Sequence, residues 1–220
     1  MEEKQKKKDF EFIAQIVVIV VLVGFLMFFI GRGSVGNVGQ TVTGLVSASE
    51  IIPTGVPAIY GNELKISYDD VSSTNPRSAD ATIAVLSNID RSETLEGADL
   101  QRYINVLYNL HNGISCEFCC GARSVIREDG NAACGCAHSY AMRGLAKYLI
   151  KFHGDEFTDE EILEEVGKWK VLFFPGIHEE KAQVLAEQGI ELNYVNLASN
   201  LYRGIEKGQT SGSSGMVGGC

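Results

Sequence analysis

CEFCCGARSVIREDGNAACGCAH, residues 116–138, holds five of the six cysteines and one of the four histidines of a 220-residue chain. The spacing is C-x2-C-C, a short polar excursion, then C-x-C-x-H. Two close-spaced clusters separated by a loop can close four ligands around one ion, because thiolates and imidazoles are the ligands that soft and borderline metals prefer. The rest of the chain is expected to be organised about this stretch, with one helix running into it and another leaving it.

Cys116 and Cys119, with Gly121 shortly after, have the form of a tight knuckle whose backbone amides support a pair of metal-bound thiolates. Cys134 and Cys136 supply the second pair, and His138 adds an imidazole two residues on. Ser124–Ile126 and Glu128–Asn131 between them read as a strand and a turn, enough to fold one cluster onto the other. Counting Cys120, there are more candidate ligands than the four that a structural zinc site uses. Copper(I), which takes fewer and softer ligands and can be passed between them, suits that surplus. Met142 stands four residues after His138 on the same helix face and can converge on the same ion. Two plainer readings stand beside these: Met142 as core packing, and the cysteines as a disulfide framework. Adjacent Cys119 and Cys120 would make a strained disulfide with each other.

Ahead of the run, Leu100, Tyr103, Ile104, Leu107 and Leu110 fall at three- and four-residue spacing. They define a helix capped near Asp90 or Thr94 and closed by Gly113, with His111 at its negative end. After it, Ala141, Leu145, Tyr148, Leu149 and Phe152 form an apolar stripe on a helix that starts at His138 and ends near Gly154. Thr158 and Glu161 make a capping box, and Phe157 can staple onto Ile162, so a helix follows from Asp159 to about Trp169. Pro175 and Gly176 break the chain. Helices are then expected over 179–188 and 193–207, the second with Tyr194, Leu197, Leu201 and Ile205 inward. His153 and His178 are expected to be solvated at helix ends, and Glu160, Glu161, Glu164 and Glu165 to form a solvated face. Upstream, Leu64, Ile66 and Tyr68 alternate with polar residues as in a short strand, residues 69–80 read as a loop, and ATIAVLSNI as a helix.

The N-terminal part has a different character. Ile13–Ile30 is apolar throughout except for Gln15, and about 20 such residues cross a bilayer core. Four lysines precede it, whereas Arg32 alone follows before Lys65, so the positive-inside rule puts residues 1–12 in the cytoplasm and the remainder outside. Residues 31–60, rich in Gly, Val, Ser and Thr, read as a linker, and 208–220 as a Gly/Ser tail whose Cys220 can reach the cluster or a partner. The cysteine-rich domain is then 61–207, in a compartment where disulfides persist. A net charge of −9 with no basic stripe excludes nucleic acid as a partner.

The segment from about Tyr103 to Gly167 resembles the bacterial PCYCGC-motif proteins. It shares with them a helix entering a knuckle (ISCEFCCG), a second pair opening a helix (ACGCAHSYAMRGLAKYL), and an acidic helix (FTDEEILEEVGKW). The P-C-Y-C-G-C string itself is not intact, and a hydrophobic span stands where that family has a lipoprotein cysteine. The resemblance implies an exported, membrane-attached protein with metal-binding cysteines. The helix pair also resembles the end of the cytochrome c maturation thioreductases, which implies thiol redox chemistry.

The expectation is thus a mainly α protein: one transmembrane helix, a flexible linker, and a small helical extracytoplasmic domain with a cysteine-rich knuckle and a short β element. It would bind copper(I) or zinc through Cys116, Cys119, Cys120, Cys134, Cys136, His138 and Met142, for sequestration, transfer or sensing without catalysis. Its partners would be the bilayer and a metal-donor or thiol protein. The alternatives are a thiol-disulfide oxidoreductase using Cys116 and Cys119, or a structural disulfide knot. No hydrolase-like triad, phosphate-cradling glycine loop or paired carboxylates stand out.

Overall fold

The computed structural model describes residues 46–118 and 121–208, which lie in one compact unit. The expected span 13–30, the first part of the linker, Cys119, Cys120 and Cys220 lie outside them. The described residues are mainly helical and contain no β-strand: α1 (Ala48–Ile51), α2 (Gly61–Leu64), α3 (Pro76–Ser92), α4 (Gly97–Ile104), α5 (Ala137–His153), α6 (Asp159–Phe173), α7 (Pro175–Glu187) and α8 (Tyr194–Ala198), with short 3-10 turns between. None of these helices is long and apolar enough to cross a membrane.

Local chemistry explains most boundaries, including those that differ from the sequence reading. Residues 69–80 are only partly loop, because Asn75 accepts a bond from the Ser78 amide and Pro76 occupies the first helical position of α3. Asp90 caps nothing: it lies within α3, and α4 starts after Glu96 without a side-chain cap. α4 widens into a π turn at Asn105–Asn109 and a 3-10 turn at Leu110–Asn112. Gly113 ends it at φ +77°, where a Cβ would sit 2.5 Å from the Leu107 carbonyl. The Thr158–Glu161 capping box is present, and α6 runs on to Phe173. The expected break falls at the non-helical Phe174, and Pro175 itself opens α7, four residues before the expected start at Glu179.

Other departures come from packing. The alternating segment at 64–68 is no strand, since Leu64 ends α2 and Tyr68 starts a 3-10 turn. Residues 46–60 do not behave as linker: Ile51 and Tyr60 are buried. The expected helix over 193–207 stops at Ala198, because Ser199 turns extended to bridge Ile114, and this leaves Leu201 exposed. Phe152 is also exposed. Glu165 is not on a solvated face; it accepts from Tyr60 Oη at 2.8 Å and Tyr68 Oη at 2.7 Å, while Trp169 Nε1 donates to Tyr60 Oη at 2.8 Å.

The core is a layer of α5 packed between α3 and α6. Leu86, Tyr103, Leu107, Ala141, Leu145, Leu149, Trp169 and Phe173 are all buried in it. Each large apolar side chain contributes roughly 1.5–3 kcal/mol on burial, against ~1 kcal/mol for a helix cap, so packing rather than capping holds these helices. Ile51, Val171, Ala182, Leu185 and Leu197 form a second cluster beneath α6.

His153 is buried rather than solvated, with Nδ1 2.7 Å from Glu156 and Nε2 3.0 Å from Glu63. Burial favours its neutral form, but the bonds to Glu156 and Glu63 outweigh that and raise its pKa. Any stability from this contact is complete below the unfolded value of about 6.5 and lost as pH rises through the raised folded value. Proton NMR titration should therefore place His153 above a model histidine, and Glu63→Gln should lower it.

Candidate metal centre

Two segments, one carrying Cys116 and the other Cys134 and Cys136, converge at the start of α5. Cys116 follows the bridge between Ile114 and Ser199, which the Asn200 amide extends by donating to the Gly113 carbonyl at 2.8 Å. Cys134 follows the bridge between Ile126 and Ala132, so the expected strand-and-turn survives as a single bridge and a turn through Gly130. Cys136 is the N-cap of α5. The sulfurs of Cys116, Cys134 and Cys136 all lie within 4.8 Å of one another, and all three residues are thiols. The Cys134 and Cys136 sulfurs are 3.6 Å apart. Two sulfurs held tetrahedrally at ~2.3 Å from zinc would be ~3.8 Å apart, so the pair already has the spacing of two ligands on one ion.

The environment favours thiolate at Cys136. The Cys116 thiol bonds to it, and against the opposing effect of burial this bond and those from Ser139 bring its pKa down to about 7. The Ser139 amide donates to the Cys136 sulfur at 3.4 Å, the bond that an N-cap oxygen would accept, at the positive end of the helix dipole. A low-pKa thiol is both a better metal ligand and a better nucleophile.

The loops are fixed from below by charged groups that the sequence reading did not single out. Arg143 is buried; its Nη1 donates to the carbonyls of Cys134 at 2.8 Å and Val125 at 3.2 Å, and its Nε donates to Asp90 at 2.9 Å. Lys147 pairs with the same Asp90 at 2.8 Å. Glu117, next to Cys116, takes the left-handed φ of +66°. Its carboxylate holds that conformation by accepting from Lys170 Nζ at 3.1 Å and the Gly204 amide at 2.9 Å. Lys170 and Glu117 are both buried. Neither pair has a signature in sequence spacing, since 53 residues separate the partners in each.

His138 does not join the mutual 4.8 Å set. It is buried on the first turn of α5 with its ring centroid 4.9 Å from those of both Phe173 and Phe174. Met142 is buried in the core one turn further on. His178, expected at the surface, is buried too: its Nδ1 lies 2.7 Å from the Phe174 carbonyl, and burial holds its pKa well below the usual histidine value. His111 does lie at the end of its helix, where it pairs with Glu160 at 2.7 Å.

Fold and site together define a mainly helical protein carrying a compact three-cysteine cluster that could hold a metal ion. No family model matches the chain, and no curated protein or solved structure matches it.

Proposed function

We infer that this chain is a membrane-anchored protein whose extracytoplasmic domain takes up a soft metal ion, copper(I) or zinc, for sequestration, transfer or sensing. The observation that carries the reading is the convergence of the Cys116, Cys134 and Cys136 sulfurs within 4.8 Å, from segments 18 residues apart in sequence. Three thiolates satisfy copper(I) and leave zinc one position to fill. Cys119 and Cys120 are further candidate ligands by spacing, and His138 and Met142 by their place on the first two turns of α5. The apolar span 13–30 and the lysines before it support the anchor and its orientation.

Full-length protein, purified reduced and without oxygen, should bind about one copper(I) or zinc per chain at micromolar concentration, with a thiolate-to-metal absorption band. Cys136→Ser should weaken binding by more than the ~10–100-fold typical of losing an outer-shell partner. Uptake of neither ion would sink the reading.

A second reading has its own support in the 3.6 Å separation of Cys134 and Cys136 and the lowered pKa of Cys136. In thiol-disulfide exchange the Cys136 thiolate would attack a disulfide of an exported protein, and Cys134 would then release the reduced substrate and leave the pair as a disulfide. This moves the working pair of that alternative from Cys116 and Cys119 to Cys134 and Cys136. Alkylation separates the readings: metal-protected thiols become reactive on chelation, disulfides only on reduction.

A further inference from the structure

The three thiols are not held by the same part of the chain. Cys134 is fixed from α5 through Arg143, and Cys136 caps that helix. Cys116 is flanked instead by a strap, residues 199–207, which follows α8. On one side of Cys116, Ser199 bridges Ile114, and Ser115 Oγ donates to Asn200 Oδ1 at 2.7 Å. On the other side the Gly204 amide donates to the Glu117 carboxylate at 2.9 Å. Further along, Asn200 Nδ2 donates to the Arg123 carbonyl at 2.8 Å, and Arg203 Nη1 to the Ala122 carbonyl at 2.9 Å. Both chain neighbours of Cys116 are thus bonded to the strap.

The strap is held less firmly than the helices. Within residues 199–207 no apolar side chain is fully buried: Leu201 is exposed, and Tyr202 and Ile205 are half-buried. What remains is hydrogen bonding, whose net contribution in water is small. The buried acid of the strap returns little. Glu206 Oε2 has no hydrogen-bond partner among the described residues, and neither has Lys181 Nζ, the buried cation whose charge Glu206 favours. A segment with few buried apolar contacts opens locally at a lower free energy than the core.

We propose that residues 199–207 are a latch on the cysteine cluster, with Asn200 and Arg203 as its positioning residues. Closed, the latch keeps the Cys116 thiol buried and within 4.8 Å of the other two sulfurs. Open, it exposes Cys116 and loosens it from Cys134 and Cys136, which stay with α5. An ion held by three thiolates is then held by two, so opening is the step at which cargo enters or leaves. The cargo rests on the metal-binding reading; the latch does not.

The latch is tested on the metal-free, reduced, full-length protein in urea too dilute to unfold it. Alkylation of Cys116 by iodoacetamide, a neutral reagent, is followed by peptide mass spectrometry. Divided by the rate in unfolded protein, it gives an opening constant for the thiol. Hydrogen exchange gives the opening constants of the strap amides and of the α5 core. Cys116 and the strap should open together, with a constant roughly 100-fold or more above that of the α5 core and with little dependence on urea. Asn200→Ala and Arg203→Gln, both at half-buried positions, should each raise the two constants together about tenfold. A Cys116 that opens only with the α5 core would overturn the proposal, as would a strap loosened in both variants with Cys116 unmoved. Failure of metal uptake with this pattern intact would remove the cargo and leave the latch; metal uptake without the pattern would do the reverse.

Discussion

Gly144→Ala is expected to destabilise the folded unit by about 3 kcal/mol or more, although alanine is the better helix former by ~1 kcal/mol. Gly144 lies in the middle of α5, where an added Cβ would meet the Leu86 carbonyl oxygen at 1.9 Å, its carbon at 2.9 Å and the Asp90 amide at 3.0 Å. All three are backbone atoms of α3, so no rotamer change relieves the clash and the helices must separate. Separation withdraws Asp90 from Arg143 and Lys147, and with it the support of the Cys134 carbonyl. Urea unfolding followed by the fluorescence of Trp169, the single tryptophan, should show the midpoint fall. Metal affinity should fall with it. An unchanged or raised midpoint would mean that α3 and α5 do not approach as closely as described.

That contact also marks the limit of what the sequence made legible. The periodicity of Ala141, Leu145 and Leu149 identified α5 and its buried face, and Thr158 with Glu161 located the start of α6, because both signals are local. Gly144 reads in sequence only as a mild helix weakener, since its purpose is a partner more than 50 residues away. The cysteine site was legible in the same partial way. Spacing picked out Cys116, Cys134 and Cys136, and the structure brings their sulfurs together. It set His138 on the aromatic surface of Phe173 and Phe174, because a residue on the first turn of a helix faces whatever that helix packs against. Ser139 had a local signal, since it stands three residues after the cap position, where a helix start leaves an amide to be satisfied. Arg143 and Lys170 had none: a cation on the apolar face of a helix reads as a break in the stripe until its distant carboxylate is found.

Lys170→Met is expected to cost about 3–5 kcal/mol, the usual consequence of leaving one member of a buried ion pair without the other. Burial pushes the Glu117 carboxyl up, but the charges of Lys170, Lys181 and Arg203 together outweigh it and hold its pKa below the ordinary value. Stability from this carboxylate is therefore complete above the unfolded value of about 4.3 and lost as pH falls through the lowered folded value. Lys170, whose pKa burial lowers against the pull of Glu117, titrates in a separate, alkaline window, its contribution lost as pH falls from the unfolded value of about 10.4 through the lowered folded value. Acid should thus weaken the wild type through Glu117, and Lys170→Met should lose much of that dependence. The double variant Glu117→Gln with Lys170→Met should recover most of the loss in stability, because apolar or neutral partners of similar size avoid the desolvation of both charges. It should not recover metal affinity to the same degree. Glu117 holds the left-handed turn beside Cys116 through Lys170 and the Gly204 amide, and a glutamine without the lysine keeps the second contact alone. Stability and affinity should therefore separate in the double variant: a near-normal urea midpoint with weakened metal binding identifies the pair as what positions Cys116, whereas full recovery of both would reduce it to a core contact.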